Sequence, residues 1–472
     1  MKFYNREREI ELLKKIIEGK GTRIVVVKGL RRIGKTRTIL EVLKNRYAYI
    51  FVPKDKSTSI FLEEMSEDLK IPLFRRLRDF LVYLFDKYEF VFFDEFQNFY
   101  YMDKSIYSDF QKLIDKFKRE NKNICIFFAG SSYSLINKIF AEYSKALYGR
   151  RDIEITLDEL SVKNIFEILR DLRINKIEEK VMIYSMFGGI PKFYEIIESV
   201  SFKSFDEIIK LLFENNFKIL LDEGNTILKS EFGGEYKTYY TILEAISFGK
   251  TRLNEIGSVF DNNINAANRY LTILRKDYNL VARVEPLIKG KQKEGIYAIK
   301  NIFFIFWFRF IKRCESLYEQ RRIKEIIEIF KNNFNTYVGE IFERICYELI
   351  LDGYVKLPFS FTKIGKQWGK IPNKPKGENT YEIDLVSLNE KTKEILFIEC
   401  KWKNKVNAEK ICKELAEKAK YVEWNNEDRK ESFAIFAKSF SKKIKKFEGK
   451  KVYCFDLRDL ERIMKYKKDY FS

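Results

Sequence analysis

The chain has 472 residues, no histidine, and 89 Lys and Arg against 69 Asp and Glu, a formal net charge of +20. The absence of histidine excludes Ser-His-Asp and Cys-His triads, His-ligated zinc and imidazole proton shuttles, so any catalysis rests on carboxylates, lysine, arginine and metal ions. Apolar residues make up 46% and charged ones 33%, which describes a globular chain with material for about three or four domains.

Residues 3–17 (FYNREREIELLKKII) read as a helix with an apolar stripe at Ile10, Leu13, Ile16 and Ile17. No basic-then-apolar signal segment opens the sequence, so a cytoplasmic location is expected. Ile24 to Val27 reads as a buried strand. It runs into Gly29, Gly34, Lys35 and Thr36 and then into helical apolar spacing, which is G-x-x-x-x-G-K-T between a strand and a helix. Glycines there let backbone N–H groups wrap phosphates, and the helix N-terminus adds partial positive charge. The nucleotide-binding candidates are therefore Gly29, Arg31, Arg32, Ile33, Gly34, Lys35, Thr36 and Arg37. Lys35 reaches the β- and γ-phosphates in this reading, and the Thr36 hydroxyl ligates Mg²⁺.

Residues 47–53 read as a second strand and 77–85 as a helix. FVFFDEF (90–96) is an apolar strand ending in Asp94-Glu95, the Walker B pattern. Asp94 is expected in the Mg²⁺ shell and Glu95 as the base that polarises the attacking water. After a helix at 110–118, ICIFFAGSS (124–132) is a third apolar strand. Placed between the P-loop and Walker B strands, it would bring Ser131 or Ser132 beside the γ-phosphate. Arg150 and Arg151 in LYGRR are candidates to stabilise charge on the γ-phosphoryl group, or equally a surface pair.

F-x-N-R-E-x-E, GLRRIGKT, FFDEFQ, FAGSS, LYGRR and FGGIPKFY (187–194) follow one another in the order seen in the archaeal ATPase family. The chain resembles that family, which lies in the STAND branch of P-loop ATPases. The resemblance implies an α/β fold with a P-loop ASCE/AAA+-like parallel-sheet core, with ATP and Mg²⁺ as cofactors. It also implies that Asn5, Arg6 and Glu7 lie near the base and that GGIPKFY sits on a lid facing the nucleotide.

Residues 156–232 read as short amphipathic helices ending at Gly233-Gly234. YYTILEAIS, LNEIGSVF and INAANRYLTILRKD make three helices, followed by two strands at 279–286 and 295–300. That order is a winged helix-turn-helix. Asn265, Asn268, Arg269 and Thr272 are its groove-facing candidates and Lys289, Lys291 and Lys293 its wing lysines; packing as a protein-interaction module is the equal alternative. IFFIFWFRF (302–310) reads as core or interface, and it is too short to span a bilayer.

The tail opens with a Lys/Ile/Glu-rich helix and a second helix at 336–350, then a loop from 358 to 380. YEIDLVSL (381–388) and EILFIECKW (394–402) are strands in hairpin order. Strand periodicity puts Glu399 and Lys401 on one face and Cys400 on the other. Asp384, Glu399 and Lys401 then match the core of a PD-(D/E)xK nuclease, in which carboxylates hold Mg²⁺ or Mn²⁺ and lysine orients the water. G-x-x-F-E-R at 339–344 resembles the first helix of archaeal Holliday-junction resolvases and points to Glu343, with Glu340 as the fallback. A helix at 408–422 and a strand at 432–438 complete an αββαβ order. The last 72 residues carry 21 Lys and Arg against 12 Asp and Glu, and six scattered cysteines without metal or redox spacing read as reduced thiols.

The expected domains are an ATPase core (1–155), a helical lid (156–234), a winged helix (235–318) and a restriction-endonuclease-like α/β domain (319–472). The leading reading is an ATPase acting on nucleic acid, DNA ahead of RNA and not membrane, with metal-dependent cleavage by the tail. The competing reading is an ATP-set regulatory switch that binds DNA or protein partners without cleavage. A homo-oligomer or protein partner stays open in both.

Overall fold

The computed structural model describes residues 2–43, 47–200, 204–215, 217–289, 295–375 and 377–466. Near the N-terminus, strands β1 (Thr22–Lys28), β2 (Tyr47–Phe51), β3 (Phe90–Asp94), β4 (Ile124–Gly130) and β5 (Ile153–Thr156) form one parallel sheet in the order β2-β3-β4-β1-β5. Their near-continuous apolar sequences follow from helices covering both faces. Ile24 and Val26 pack with Phe128 on one side, while Val25 and Val27 pack with Phe127 on the other. Strand β4 sits between β1 and β3, so the turn after it ends beside both motif-bearing strands.

The helices Val162–Asp171, Ile177–Phe187, Pro191–Val200 and Phe217–Phe232 follow. Three further helices, Tyr236–Ser247, Leu253–Gly257 and Ile264–Lys276, precede an antiparallel hairpin of β6 (Val281–Val284) and β7 (Ile296–Ile299). Asn265, Asn268 and Arg269 are exposed on the third of these helices, and the Thr272 hydroxyl donates to the Asn268 carbonyl at 2.8 Å. Lys289 bridges to Glu285 at 2.9 Å, whereas Lys291 and Lys293 lie outside the described residues. The aromatic run at 302–310 is core: Phe303, Phe306, Trp307 and Phe308 are fully buried, and the Trp307 indole donates to the Leu220 carbonyl at 3.0 Å.

Two sequence expectations change in the tail. The helices at its start are one continuous 29-residue helix, Ile323–Leu351, because Ile326, Phe330, Phe334, Tyr337 and Ile341 keep a single buried stripe across the join. The loop expected at 358–380 contains a strand, β8 (Lys363–Lys370). Its lysines and glycines hide it from a hydrophobic pattern, and that composition suits the sheet edge it occupies. With β9 (Thr380–Asn389), β10 (Glu394–Lys401), β12 (Lys430–Ala437), β14 (Lys446–Phe447) and β15 (Lys450–Phe455), it forms a mixed sheet ordered β14-β15-β12-β10-β9-β8. Short strands β11 (Val406–Asn407) and β13 (Phe440–Lys442) pair beside it. One apolar cluster runs from Leu160 through the aromatic run and the long helix to Ile463 and takes in one face of the C-terminal sheet, while Ile383, Phe397, Leu415 and Phe433 form a separate core on its other face. Among the described residues no helix is long and apolar enough to cross a membrane.

Candidate functional sites

The first site forms where β1 gives way to the helix Lys35–Leu43. At Gly29 a Cβ would lie 2.3 Å from Ile33 Cδ1 and 2.5 Å from the Leu157 carbonyl, so only glycine lets the loop pass. Gly34 takes φ 92°, and a Cβ there would meet nothing within 4 Å, so its backbone face stays open to the cleft. Arg31 to Thr38 line a cavity of about 850 Å³ with Arg6, Tyr49, Asp94, Glu95 and Ser131. Gly29 is not part of this lining. Lys35 is 6% exposed, and its ammonium donates to the Gly29 and Leu30 carbonyls, each at 2.9 Å. Burial lowers its pKa, and the charges of Glu95 and Asp94 oppose that shift.

Thr36 Oγ1 donates to Asp94 Oδ2 at 2.6 Å, and the Tyr49 hydroxyl reaches the same oxygen at 3.2 Å. Burial raises the Asp94 carboxyl above its ordinary range, against the Thr36 hydrogen bond that lowers it. Glu95 stands at φ 53°, a left-handed conformation that is uncommon outside glycine and clusters at functional positions. Its Oε2 accepts from the Ser131 hydroxyl at 2.6 Å and from Gln97 Nε2 at 2.5 Å. Both serines line the cleft, with different partners. Ser131 holds Glu95, whereas Ser132 caps the helix Tyr133–Ala141.

Other expected residues fall into place unequally. Arg6 is buried, donating to the carbonyls of Ile33 at 3.3 Å and Asp158 at 2.5 Å, and it reaches the cleft as a brace for the loop. Asn5 does not line the cleft; its amide donates to Asn164 at 2.6 Å. Arg32 pairs with Glu223 at 2.8 Å and Arg37 with Glu195 at 3.6 Å, tying the loop to the following helices. Pro191 and Lys192 of GGIPKFY line the cleft. Arg150, expected beside the γ-phosphoryl group or as a surface residue, does not line this cleft: Asp115 on the helix Ile106–Arg119 accepts from its Nε and Nη2, each at 3.0 Å, and the Tyr148 carbonyl accepts from Nη1 at 3.0 Å. Arg151 pairs with Glu154 at 3.1 Å.

Sequence reading missed Glu231. It lies in the helix Phe217–Phe232, 7% exposed, and accepts from the Tyr133 N–H at 3.4 Å and the Ser132 hydroxyl at 3.5 Å. Burial pushes its carboxyl up to about 8. No periodicity marks it, since it reads as one more polar residue at a helix end.

The second site lies in the C-terminal sheet. Gly365 faces Val386 and Gln367 faces Ile383, so Asp384 and Leu385 together oppose Lys366 as a β-bulge. The bulge turns the Asp384 carboxylate onto the neighbouring strand, where Oδ2 accepts the Cys400 N–H at 2.7 Å. Burial first, and the Glu343 and Glu399 charges after it, push the Asp384 carboxyl upward. Glu399 is 3% exposed; Lys401 donates to it at 2.5 Å and Lys418, from the helix Ala408–Ala419, at 3.3 Å. Cys400 packs with Leu396 and Ile398, opposite Phe397, as strand alternation requires. Glu343 accepts from Lys366 at 2.6 Å, while Glu340 is drawn away to Arg309 at 2.9 Å. Glu343 thus approaches Asp384 from the long helix, and Glu399 is held from the other side by two lysines. Lys366 and Lys418 were invisible in the sequence because only the packed sheet brings them here.

Three comparisons bear on these sites. Residues 3–197 match a family described as an ATPase domain predominantly from Archaea, and residues 307–411 match one described as archaeal and bacterial proteins of unknown function. An uncharacterized protein of Methanocaldococcus jannaschii is 31% identical over 463 residues, covering 97% of this chain and 99% of that protein. An uncharacterized ATP-binding protein of the same organism is 28% identical over 174 residues, covering 37% of this chain and 40% of its own. Among solved structures, a Walker-type ATPase of Pyrococcus abyssi is 17% identical with a TM-score of 0.48, over 65% of this chain and 96% of that one. This chain belongs to the family of archaeal proteins that join an ATP-binding P-loop ATPase domain to a C-terminal domain of unknown function.

Proposed function

We propose that the first site binds ATP with Mg²⁺ and hydrolyses it as a STAND-type ATPase. The observation that carries this reading is the connected set Thr36–Asp94–Glu95–Ser131, with contacts of 2.6 Å at each end, on the wall of the cleft that Lys35 enters. The residues fit Mg²⁺: a hydroxyl and a buried carboxylate share one hydrogen bond, and a nearby cation relieves the burial that raises Asp94. Bound there, Mg²⁺ would neutralise charge on the phosphates. Lys35 grips the β- and γ-phosphates, Thr36 and Asp94 hold the metal, and Ser131 fixes Glu95 where it can take a proton from water. Phosphate release by the wild type, Lys35→Ala and Glu95→Gln tests it. Lys35→Ala should lose turnover, and Glu95→Gln should keep ATP bound but turn over about a hundredfold more slowly or worse. Unchanged turnover in both ends the reading.

The C-terminal sheet in this proposal is a PD-(D/E)xK-like domain acting on nucleic acid, DNA foremost. Asp384 and Glu399 would hold a divalent ion with Glu343 nearby, and Lys401 would orient the water. The support is the bulge that turns Asp384 onto the strand carrying Glu399, since bulges re-aim side chains beside active sites. The helix-and-hairpin module, residues 236–299, would serve as a winged helix, and self-association or a protein partner fits the same scheme. One observation favours the switch reading instead. Lys401 and Lys418 already balance Glu399, and among the described residues no three acidic or cysteine side chains are grouped to hold a metal. Incubation with plasmid, single strands and branched DNA plus Mn²⁺ separates the two. Cleavage lost in Asp384→Ala supports the nuclease, and binding without cleavage supports the switch.

A further inference from the structure

A second large cavity, of about 1210 Å³, lies between the helix-and-hairpin module and the C-terminal sheet. Its floor is set by strand alternation along β8, where Lys366, Trp368 and Lys370 fall on one face and the buried Gln367 on the other. Trp368 pairs across with Glu382 on β9. One wall is the long helix, whose Glu343 and Tyr347 are a helical turn apart and both line the space. The roof is pinned down: the Leu287 N–H donates to the Lys366 carbonyl at 2.9 Å and the Ile288 N–H to Gln367 Oε1 at 2.9 Å. Segment 286–288 therefore covers the edge of β8, and the module stands over the sheet.

This lining combines features that single-stranded nucleic-acid sites share. Trp368 and Tyr347 are only half-buried, so aromatic surface faces the cavity. Lysines two residues to either side flank Trp368, and Lys366 is also the partner of Glu343 at 2.6 Å. The cavity thus shares Glu343 with the second site. Aromatic faces inside a roofed cavity are reached only by bases that have left a duplex stack. A duplex offers phosphates on its outside and keeps its base faces covered.

We propose that this cavity takes an unpaired nucleotide strand, its bases against Trp368 and Tyr347 and its phosphates toward Lys366 and Lys370. The inference rests on the nucleic-acid reading above and names the substrate class of that same domain. A strand seated there runs past Glu343 toward Asp384, so the domain engages single-stranded regions in preference to intact duplex.

Fluorescence anisotropy of the full-length Asp384→Ala chain, with labelled oligo-dT and a matching duplex, tests it. Oligo-dT should bind more tightly than the duplex. Adding Trp368→Ala should weaken oligo-dT binding about tenfold, while Trp368→Phe, which keeps a stacking ring, should restore most of it. Thermal unfolding of each variant separates lost binding from lost folding. Equal oligo-dT affinity in the folded Trp368→Ala and Trp368→Phe variants overturns the proposal, as does tighter duplex binding. The nuclease reading is scored separately. If the otherwise wild-type chain cuts nothing yet Trp368→Ala loses oligo-dT, the cavity stands and cleavage falls. If cleavage occurs and Trp368→Ala changes neither binding nor strand preference, the cavity falls and cleavage stands.

Discussion

Glu231→Gln is the substitution from which the most can be worked out. The Glu231 carboxyl is held near 8 against an ordinary value near 4.5, because the helix Phe217–Phe232 buries it behind Ser132, and the Glu95 charge adds to the shift while the Tyr133 N–H and Lys35 oppose it. A raised carboxyl means the folded chain holds a proton that the unfolded chain has released. Stability from this group is full below the unfolded pKa and declines as pH rises through the window from about 4.5 to about 8. Each pKa unit corresponds to about 1.4 kcal/mol, so the loss reaches about 3 kcal/mol at neutral pH and about 5 kcal/mol when ionisation is complete. Glutamine keeps an acceptor for the Tyr133 N–H and offers a donor to the Ser132 hydroxyl, yet never ionises. The variant should match the wild type near pH 4 and become progressively more stable than it toward pH 8. Urea unfolding of both proteins across that range measures the difference, with a midpoint shift serving where the transition is not two-state. Parallel pH profiles would refute the placement of this carboxyl. A variant that lost stability at every pH would refute the account of its partners.

Three further outcomes follow from particular contacts. Arg150→Ala removes a partly exposed ion pair with Asp115, so stability should fall by only about 0.2–1 kcal/mol, and ATP turnover of dilute protein should hold; a loss on the order of a hundredfold at every concentration would put the arginine back at the γ-phosphoryl group. Gly29→Ala places a methyl 2.5 Å from the Leu157 carbonyl, and shifting that backbone should cost about 1–3 kcal/mol and weaken nucleotide binding, read by thermal unfolding and titration with a non-hydrolysable ATP analogue. Trp307→Phe removes the indole that donates at 3.0 Å to the Leu220 carbonyl, which keeps its partner within the helix Phe217–Phe232, and should lower stability by about 0.5–1.5 kcal/mol with turnover retained; an unchanged melting temperature would show that the indole bond contributes nothing net.

What the sequence determined on its own is whatever depends on backbone geometry over a few residues. An apolar strand, two glycines bracketing a four-residue turn and a Lys-Thr entering a helix can form only one kind of turn. Strand alternation by itself likewise puts Glu399 and Lys401 on one face and Cys400 on the other. What depends on packing between distant segments left no local trace. Asp115 claims Arg150 only because two distant segments pack side by side, and Glu231 meets Ser132 across 99 residues of sequence. The bulge at Asp384, Lys418 beside Glu399, Lys366 beside Glu343, and the polar edge strand β8 escape any hydrophobic pattern, since charge and glycine suit an edge as well as a loop. Local rules choose the chemistry a residue can offer; the tertiary fold chooses its partner, because partner distance is set by how whole elements bury their apolar faces.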